Sequence, residues 1–234
     1  MSKPRRRMSR EDRKRDILRV AADVFASSGY RPTTVDYLVE EAGVSKGLFY
    51  IYFDSKKQAF IEVIESYFNG FAGVLEENHK RLEDVFARGD GAIEILKVWR
   101  RNVADILQYH IDNPSLTFVV YQEALGSDDD FSDRMNELTG RANSMIVEEF
   151  QMMVDAGVIR NVDIEFAAAV SMGSIVYIIM DLLLQKKWTD VESLADMIVG
   201  YHSRALALPN IDMDRLLSKV IAPRPSHRKK SARH

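Results

Sequence analysis

Apolar positions recur along most of this 234-residue chain at intervals of three and four, the period of an α-helix with one buried face. Strict alternation never lasts beyond four residues, so the pattern predicts an all-α protein. A first helix starts at Ser9, with Asp12 in capping-box register, turns Ile17, Val20, Ala21, Val24 and Phe25 inward and stops at Gly29. A second begins at Thr33 or Thr34, where Thr33 and Asp36 have capping-box spacing, and carries Val35, Leu38, Val39 and Ala42 up to Gly43. Ser45 caps a third helix, which reaches about Tyr52 with Phe49 and Phe53 on its inner stripe. Ser55 and Gln58 open a fourth, whose apolar period through Phe60, Val63, Ile64, Tyr67, Phe68, Phe71 and Leu75 persists to about Ala87.

Beyond the break at Gly89-Asp90-Gly91, a helix runs from about Ala92 to His110, and Asn113-Pro114 caps another that reaches about Leu125. The acidic run Ser127-Asp128-Asp129-Asp130 suits the positive end of a longer helix that extends to Ala156 and stops at Gly157. Its carboxylates lack the spacing of a calcium loop. From Asp163 to Lys187 the chain includes nineteen residues, Phe166 to Leu184, with Asp181 as the single charge. That length could cross a membrane. Asp181 is costly in lipid and no second span follows, so burial in an interface between subunits is the reading preferred, and no membrane partner is expected. Thr189 and Glu192 form a capping box for a helix to Leu208, and a short piece covers Asp212 to Ile221.

The second and third helices, joined by a turn containing Gly43, have the form of a helix-turn-helix whose second member enters the DNA major groove. The exposed face of that member, Lys46, Gly47, Leu48, Tyr50 and Tyr52, is no solvated salt-bridge face. A mid-helix glycine costs about 1 kcal/mol against alanine, which suggests close approach of another surface. DNA is the natural candidate. Each residue also has a plain structural reading, in which Ser45 only caps and the tyrosines cover core.

Gly29-Tyr30, Thr33-Thr34-Val35, the run from Ala42 through Phe53, and Ser55-Lys56 together resemble the DNA-binding signature of the TetR family of transcriptional regulators. The resemblance covers about the first sixty residues. It implies a DNA-binding domain at 10–55 and an effector-binding and dimerisation domain at 56–222, while basic composition without an apolar period makes 1–9 a disordered basic arm and 223–234 a disordered basic tail. The implied function is that of a ligand-responsive regulator, a repressor released from a near-palindromic operator by a small hydrophobic or aromatic effector. The same architecture can activate, and an all-α enzyme with an unrecognised site is the rival from another class.

Charge agrees with a polyanion-binding head. Residues 1–60 hold 13 basic and 8 acidic side chains, residues 61–222 hold 14 and 27, and the tail from Pro223 holds five and none, which gives −3 overall. The absence of cysteine excludes disulfides and thiolate metal sites and is compatible with a reducing cytoplasm, the expected location. His79, His110, His202, His227 and His234 show no metal-ligand spacing, and no phosphate-binding glycine loop or nucleophile motif occurs. No metal, cofactor or catalytic residue is therefore expected.

The DNA-binding candidates are Thr34, Ser45, Lys46, Gly47, Leu48, Tyr50, Tyr52 and Lys56, of which Lys46, Tyr50, Tyr52, Lys56 and Thr34 hold phosphates while Gly47 and Leu48 approach base edges. Lys56 also matches the family's motif. Resemblance places an effector pocket among residues 56–184, with Phe68, Phe71, Trp99, Phe118, Tyr121, Gln122 and Tyr177 as candidate lining, although any one of these can equally fill core. The last two long helices resemble the pair with which the family builds a dimeric four-helix bundle. Gly173 and Ser174 would allow close approach there, and Ile178, Met197 and Tyr201 would make apolar contacts of the homodimer.

Overall fold

Four hydroxyl caps set the starts of the first four helices in the computed structural model, which describes residues 9–123, 129–160, 162–185, 190–208 and 211–221. Helices α1 (Arg10–Ser28), α2 (Val35–Glu41), α3 (Lys46–Tyr52) and α4 (Lys56–Ala87) follow Ser9, Thr34, Ser45 and Ser55. Each hydroxyl oxygen accepts the backbone N–H three residues on, satisfying one of the four amides a helix start leaves unpaired and contributing about 1 kcal/mol. Gly29 and Gly43, at φ 80° and 61°, let the chain leave α1 and α2 through a region other residues enter at a cost.

The expected capping box between Thr33 and Asp36 does not form. Thr33 is buried and donates its hydroxyl to the Gly29 carbonyl at 2.7 Å, which leaves Thr34 as the cap. Phe25, Phe49, Phe53 and Phe60 fill the core between these helices, with Phe25 edge-on to Phe60 at 5.2 Å. This core does not end at the start of α4. It continues through Val63, Ile64, Tyr67 and Phe68 and takes in Val119 and Val120 from far along the chain.

The rest comprises α5 (Ala92–Asp112), α6 (Pro114–Phe118), a π-helical turn at Val119–Glu123, α7 (Asp129–Asp155), α8 (Ile164–Gln185), α9 (Val191–Leu206) and α10 (Met213–Leu217). No strand occurs among the described residues. Helix α5 packs between α4 and α9. Asn78 and Asn102 each donate to the other's backbone carbonyl at 3.1 and 3.0 Å, while Arg81 bonds both amide oxygens and Asp105. These exchanges fix the far half of α4 against α5. A second core gathers Leu82, Leu96, Trp99, Leu107, Phe150, Met153 and Val199.

Several boundaries differ from the sequence reading. The helix expected from Pro114 to Leu125 becomes α6 and then a π turn, because Val119 and Val120 are drawn fully into the head-side core. Asn113 stands at the N-cap of α6 with Pro114 in the first turn, as expected, but its side chain makes no capping bond. Its amide instead donates back to the Tyr109 carbonyl at 2.8 Å and closes α5. Asp190 caps α9 by accepting from the amides of Glu192 and Ser193. Thr189, like Ser127, Asp128, the arm up to Met8 and the tail, lies outside the described residues.

Helix α8 meets the rest of the chain mainly through α7. Phe166, Val170 and Tyr177 on its other side are 69%, 47% and 74% exposed. Within it, Ile164–Asp181 is long and apolar enough to cross a membrane, yet it forms one wall of a multi-helix body.

Candidate DNA interface and effector cavity

Only Phe49 of the seven residues of α3 is buried. Lys46, Gly47, Tyr50 and Ile51 face solvent, Leu48 and Tyr52 are half-buried, and the capping residues Thr34 and Ser45 lie exposed at the starts of α2 and α3. Seven of the eight DNA-binding candidates thus share one end of the head. The reason is local: Phe49 and Phe53, four residues apart, anchor one stripe of α3, and the 3.6-residue period turns the remaining positions outward. Ile51, 59% exposed, was missed. Its signal was present in the sequence, since a branched apolar residue off the inner stripe of a short helix has no core to fill.

Charges on this face are partly engaged. The Lys46 ammonium lies 2.7 Å from Asp36 of α2, and both side chains remain half or more exposed. That carboxylate raises the Lys46 pKa. Arg10 sits over the Tyr52 ring at 5.8 Å.

Lys56 is placed differently from the expectation that it holds a phosphate. Its Nζ donates to the carbonyls of Tyr30, Arg31 and Thr33 at 2.8, 3.2 and 2.8 Å and lies 4.3 Å from the centre of the Tyr30 ring. An ammonium has three protons, and three carbonyls take them. Desolvation lowers its pKa. Lys56 therefore ties the start of α4 to the loop between α1 and α2, a role that sequence spacing could not reveal because the partners lie 23 to 26 residues away.

A cavity of about 470 Å³ opens between α4, the π turn, α7 and α8. Phe68, Phe71 and Tyr121 line it as anticipated, and Tyr67, Val120, Thr139, Asn143, Met172 and Val176 join them. No charged side chain occurs among its described lining residues. At its wall the Tyr67 hydroxyl stands 2.8 Å from His110 Nε2 and 3.4 Å from the Tyr121 hydroxyl, while His110 Nδ1 lies 2.7 Å from the Ile106 carbonyl. Burial pushes the His110 pKa down to about 4 and raises both tyrosines, so the cluster is uncharged near neutrality. Tyr109 donates to the Tyr67 carbonyl at 2.6 Å, an approach possible because Gly70 has no Cβ; one there would sit 2.6 Å from that hydroxyl.

The other effector candidates fall elsewhere. Trp99 is core, edge-on to Phe150 and stacked on His202, and has no cavity surface. Phe118 is half-buried away from the cavity, and the Gln122 side chain lies outside the described residues. Tyr177 faces open solvent beside a groove between α8 and α9, where Ser174, Ile178, Met197 and Tyr201 of the predicted dimer contacts also lie. Gly173, expected at that interface, lines the cavity instead. Adjacent positions on α8 point about 100° apart, so a one-residue difference moves a side chain from groove to cavity. No group of three metal-ligating side chains occurs among the described residues.

Residues 17–63 match the family described as bacterial regulatory proteins, tetR family. The chain is 24% identical over 198 residues to an uncharacterised helix-turn-helix transcriptional regulator, YhgD of Bacillus subtilis, covering 84% of this chain and 97% of that one. Among solved structures, the fatty acid degradation regulator FadR of Bacillus halodurans superposes with a TM-score of 0.69 at 17% identity, covering 84% of this chain and 97% of that one. FadR of Bacillus subtilis, solved in complex with stearoyl-CoA, gives 0.65 at 18% identity over 82% and 99%. At those identities the likeness is one of fold.

Proposed function

We propose that this chain, whose residues 17–63 match the TetR family of bacterial regulatory proteins, is a homodimeric repressor of that family whose two heads hold a near-palindromic operator and release it when a small apolar or aromatic ligand fills the body cavity. The observation that carries this reading is the exposed face of α3 beside the capped start of α2, in a head whose interior is packed with aromatic rings. Lys46 and Tyr50 reach phosphates from that face, and Gly47 and Leu48 approach base edges. Two half-sites need two heads, and the exposed apolar stripe of α8 with Tyr201 of α9 supplies a self-complementary surface to join them. Such a regulator works in the cytoplasm, where its DNA lies.

Coupling runs through α4. The Lys56 clamp makes the start of this helix move with the head, and Tyr67 to Phe71, roughly 17–23 Å along the same helix, form the cavity wall. A ligand that fits the cavity better when α4 is tilted spreads the heads, and about 3 kcal/mol of differential affinity gives a hundredfold release.

Footprinting of the DNA upstream of the gene, with random duplex as competitor, tests the DNA reading. A protected palindrome that random DNA does not displace is expected, and equal competition overturns it. A reporter driven from that site should be silent with the protein and active with ligand; the opposite response makes the protein an activator. Simple aliphatic and aromatic alcohols are the first ligands to titrate, with stearoyl-CoA, present in the solved Bacillus subtilis structure, as a comparison. Phe71→Ala should keep operator affinity and lose the ligand response, whereas an unaltered response excludes the cavity.

A further inference from the structure

The hydrogen bonds behind the cavity have a fixed direction. A backbone carbonyl can only accept, so the 2.7 Å contact of His110 Nδ1 with the Ile106 carbonyl requires Nδ1 to carry the ring proton. Burial keeps the ring neutral, and Nε2 is then a lone pair. Tyr67 spends its single hydroxyl proton on that lone pair at 2.8 Å. With that proton committed to His110, the long 3.4 Å contact between the two tyrosine hydroxyls can have only Tyr121 as its donor and Tyr67 as its acceptor. The Tyr121 oxygen ends the chain, with lone pairs available and its proton turned towards Tyr67. A ligand acceptor placed there would meet oxygen against oxygen, or would draw the Tyr121 proton away and cost the bond to Tyr67.

Building on the proposed role of this cavity as the effector site, we propose that it selects an uncharged apolar ligand that carries a hydroxyl group, which donates to Tyr121, over isomers that can only accept. Carboxylates are rejected for a second reason. No cation lines the described cavity, so an anion would give up its hydration without a partner. Phe68, Phe71, Val120, Met172 and Val176 receive the hydrocarbon part.

Two measurements on the full-length protein test this. Histidine-selective nitrogen NMR, with the His110 signal assigned by its loss in His110→Gln, should show the Nδ1–H tautomer. An Nε2–H tautomer reverses the relay and overturns the inference without touching the cavity's role. Calorimetric titration with 1-octanol, its isomer heptyl methyl ether and octanoate at pH 8 should rank the alcohol at least tenfold tighter than both others. Tyr121→Phe should bring the alcohol down to the ether. Tyr67→Phe, which frees the Tyr121 proton, should strengthen the ether instead, a reversal that loss of packing cannot produce. Both variants are checked for native melting by circular dichroism. Equal binding of alcohol and ether by the unaltered protein, or a preference that survives Tyr121→Phe, overturns the inference while leaving the cavity a ligand site. Failure of all three probes to bind, with the tautomer as expected, overturns the effector cavity itself and this inference with it.

Discussion

The head and the body of this chain are built on different physics. In the head, every helix begins at a Ser or Thr whose hydroxyl binds an amide three residues on, and the binding face is whatever Phe49 and Phe53 leave uncovered. In the body, α5 starts at Gly91 with no side-chain cap, and the cavity is assembled from residues of α4, the π turn, α7 and α8 that span more than a hundred positions, from Tyr67 to Val176. Local specification produces a surface of fixed shape, which a reader of DNA needs. Assembly across long sequence distances leaves room for alternative packings, which the proposed sensing of a ligand needs.

The largest expected effect falls on the proposed pairing of two bodies, which would bring two heads onto one operator. Val170 and Tyr177 lie on the open stripe of α8, away from the cores. Tyr177→Glu together with Val170→Glu should turn a dimer into a monomer in sedimentation and lower operator affinity at least a hundredfold, with helical content unchanged. A doubly substituted protein that stays dimeric, or a monomer that binds its operator as tightly, removes the proposed interface and with it the separation of tasks.

The body also carries ionisable groups in strained surroundings, and the head has few. Burial raises the Glu149 carboxyl to about 7 and pushes His110 down to about 4. For Glu149 the folded chain holds a proton that the unfolded chain has released between pH 4.5 and 7, so stability falls as pH rises through that window. His110 has the opposite sign: the unfolded chain binds the proton first, and stability falls as pH drops from 6.5 towards 4. Glu149→Gln should therefore stabilise the protein at pH 8, by at most about 3 kcal/mol, and change little at pH 5. Urea unfolding at the two pH values decides. Equal effects at both would mean that the carboxylate has found a partner.

Lys56 shows where sequence reading worked and where it stopped. The caps, the helix-turn-helix and the all-α class were legible because each rests on residues three or four apart. Phe68, Phe71 and Tyr121 line a cavity because large side chains on inner faces are what cavities between helices expose. Trp99 fitted that rule equally well and is core, since the rule cannot tell a ring facing a cavity from one facing Phe150. Gly173 lines the cavity and Tyr177 the open groove, the reverse of their expected positions, because side-chain direction on α8 depends on how α7 packs. Lys56 itself was read as a DNA contact, and the carbonyls of a loop hold it. Lys56→Met should lower the stability of the head by about 2 kcal/mol, from lost charge-assisted bonds and ring contact, and leave the salt dependence of DNA binding unchanged.

Lys46 provides the smallest effect and the sharpest contrast with Lys56. Its ammonium is exposed and pairs with Asp36, an arrangement that contributes little to folding when both groups are solvated. A phosphate can take the place of that carboxylate without any repacking, and the counterion released on binding then appears in the salt dependence of affinity. Lys46→Ala should weaken operator and random DNA alike, by roughly fivefold, and make the slope of log affinity against log salt shallower by about one. Thermal melting should be unaltered. Asp36→Asn removes the competing carboxylate and should strengthen binding to both DNAs while keeping the slope. If instead Lys46→Ala leaves the slope intact and Lys56→Met changes it, the two lysines have exchanged roles, and the head's binding face lies nearer the start of α4 than the start of α3.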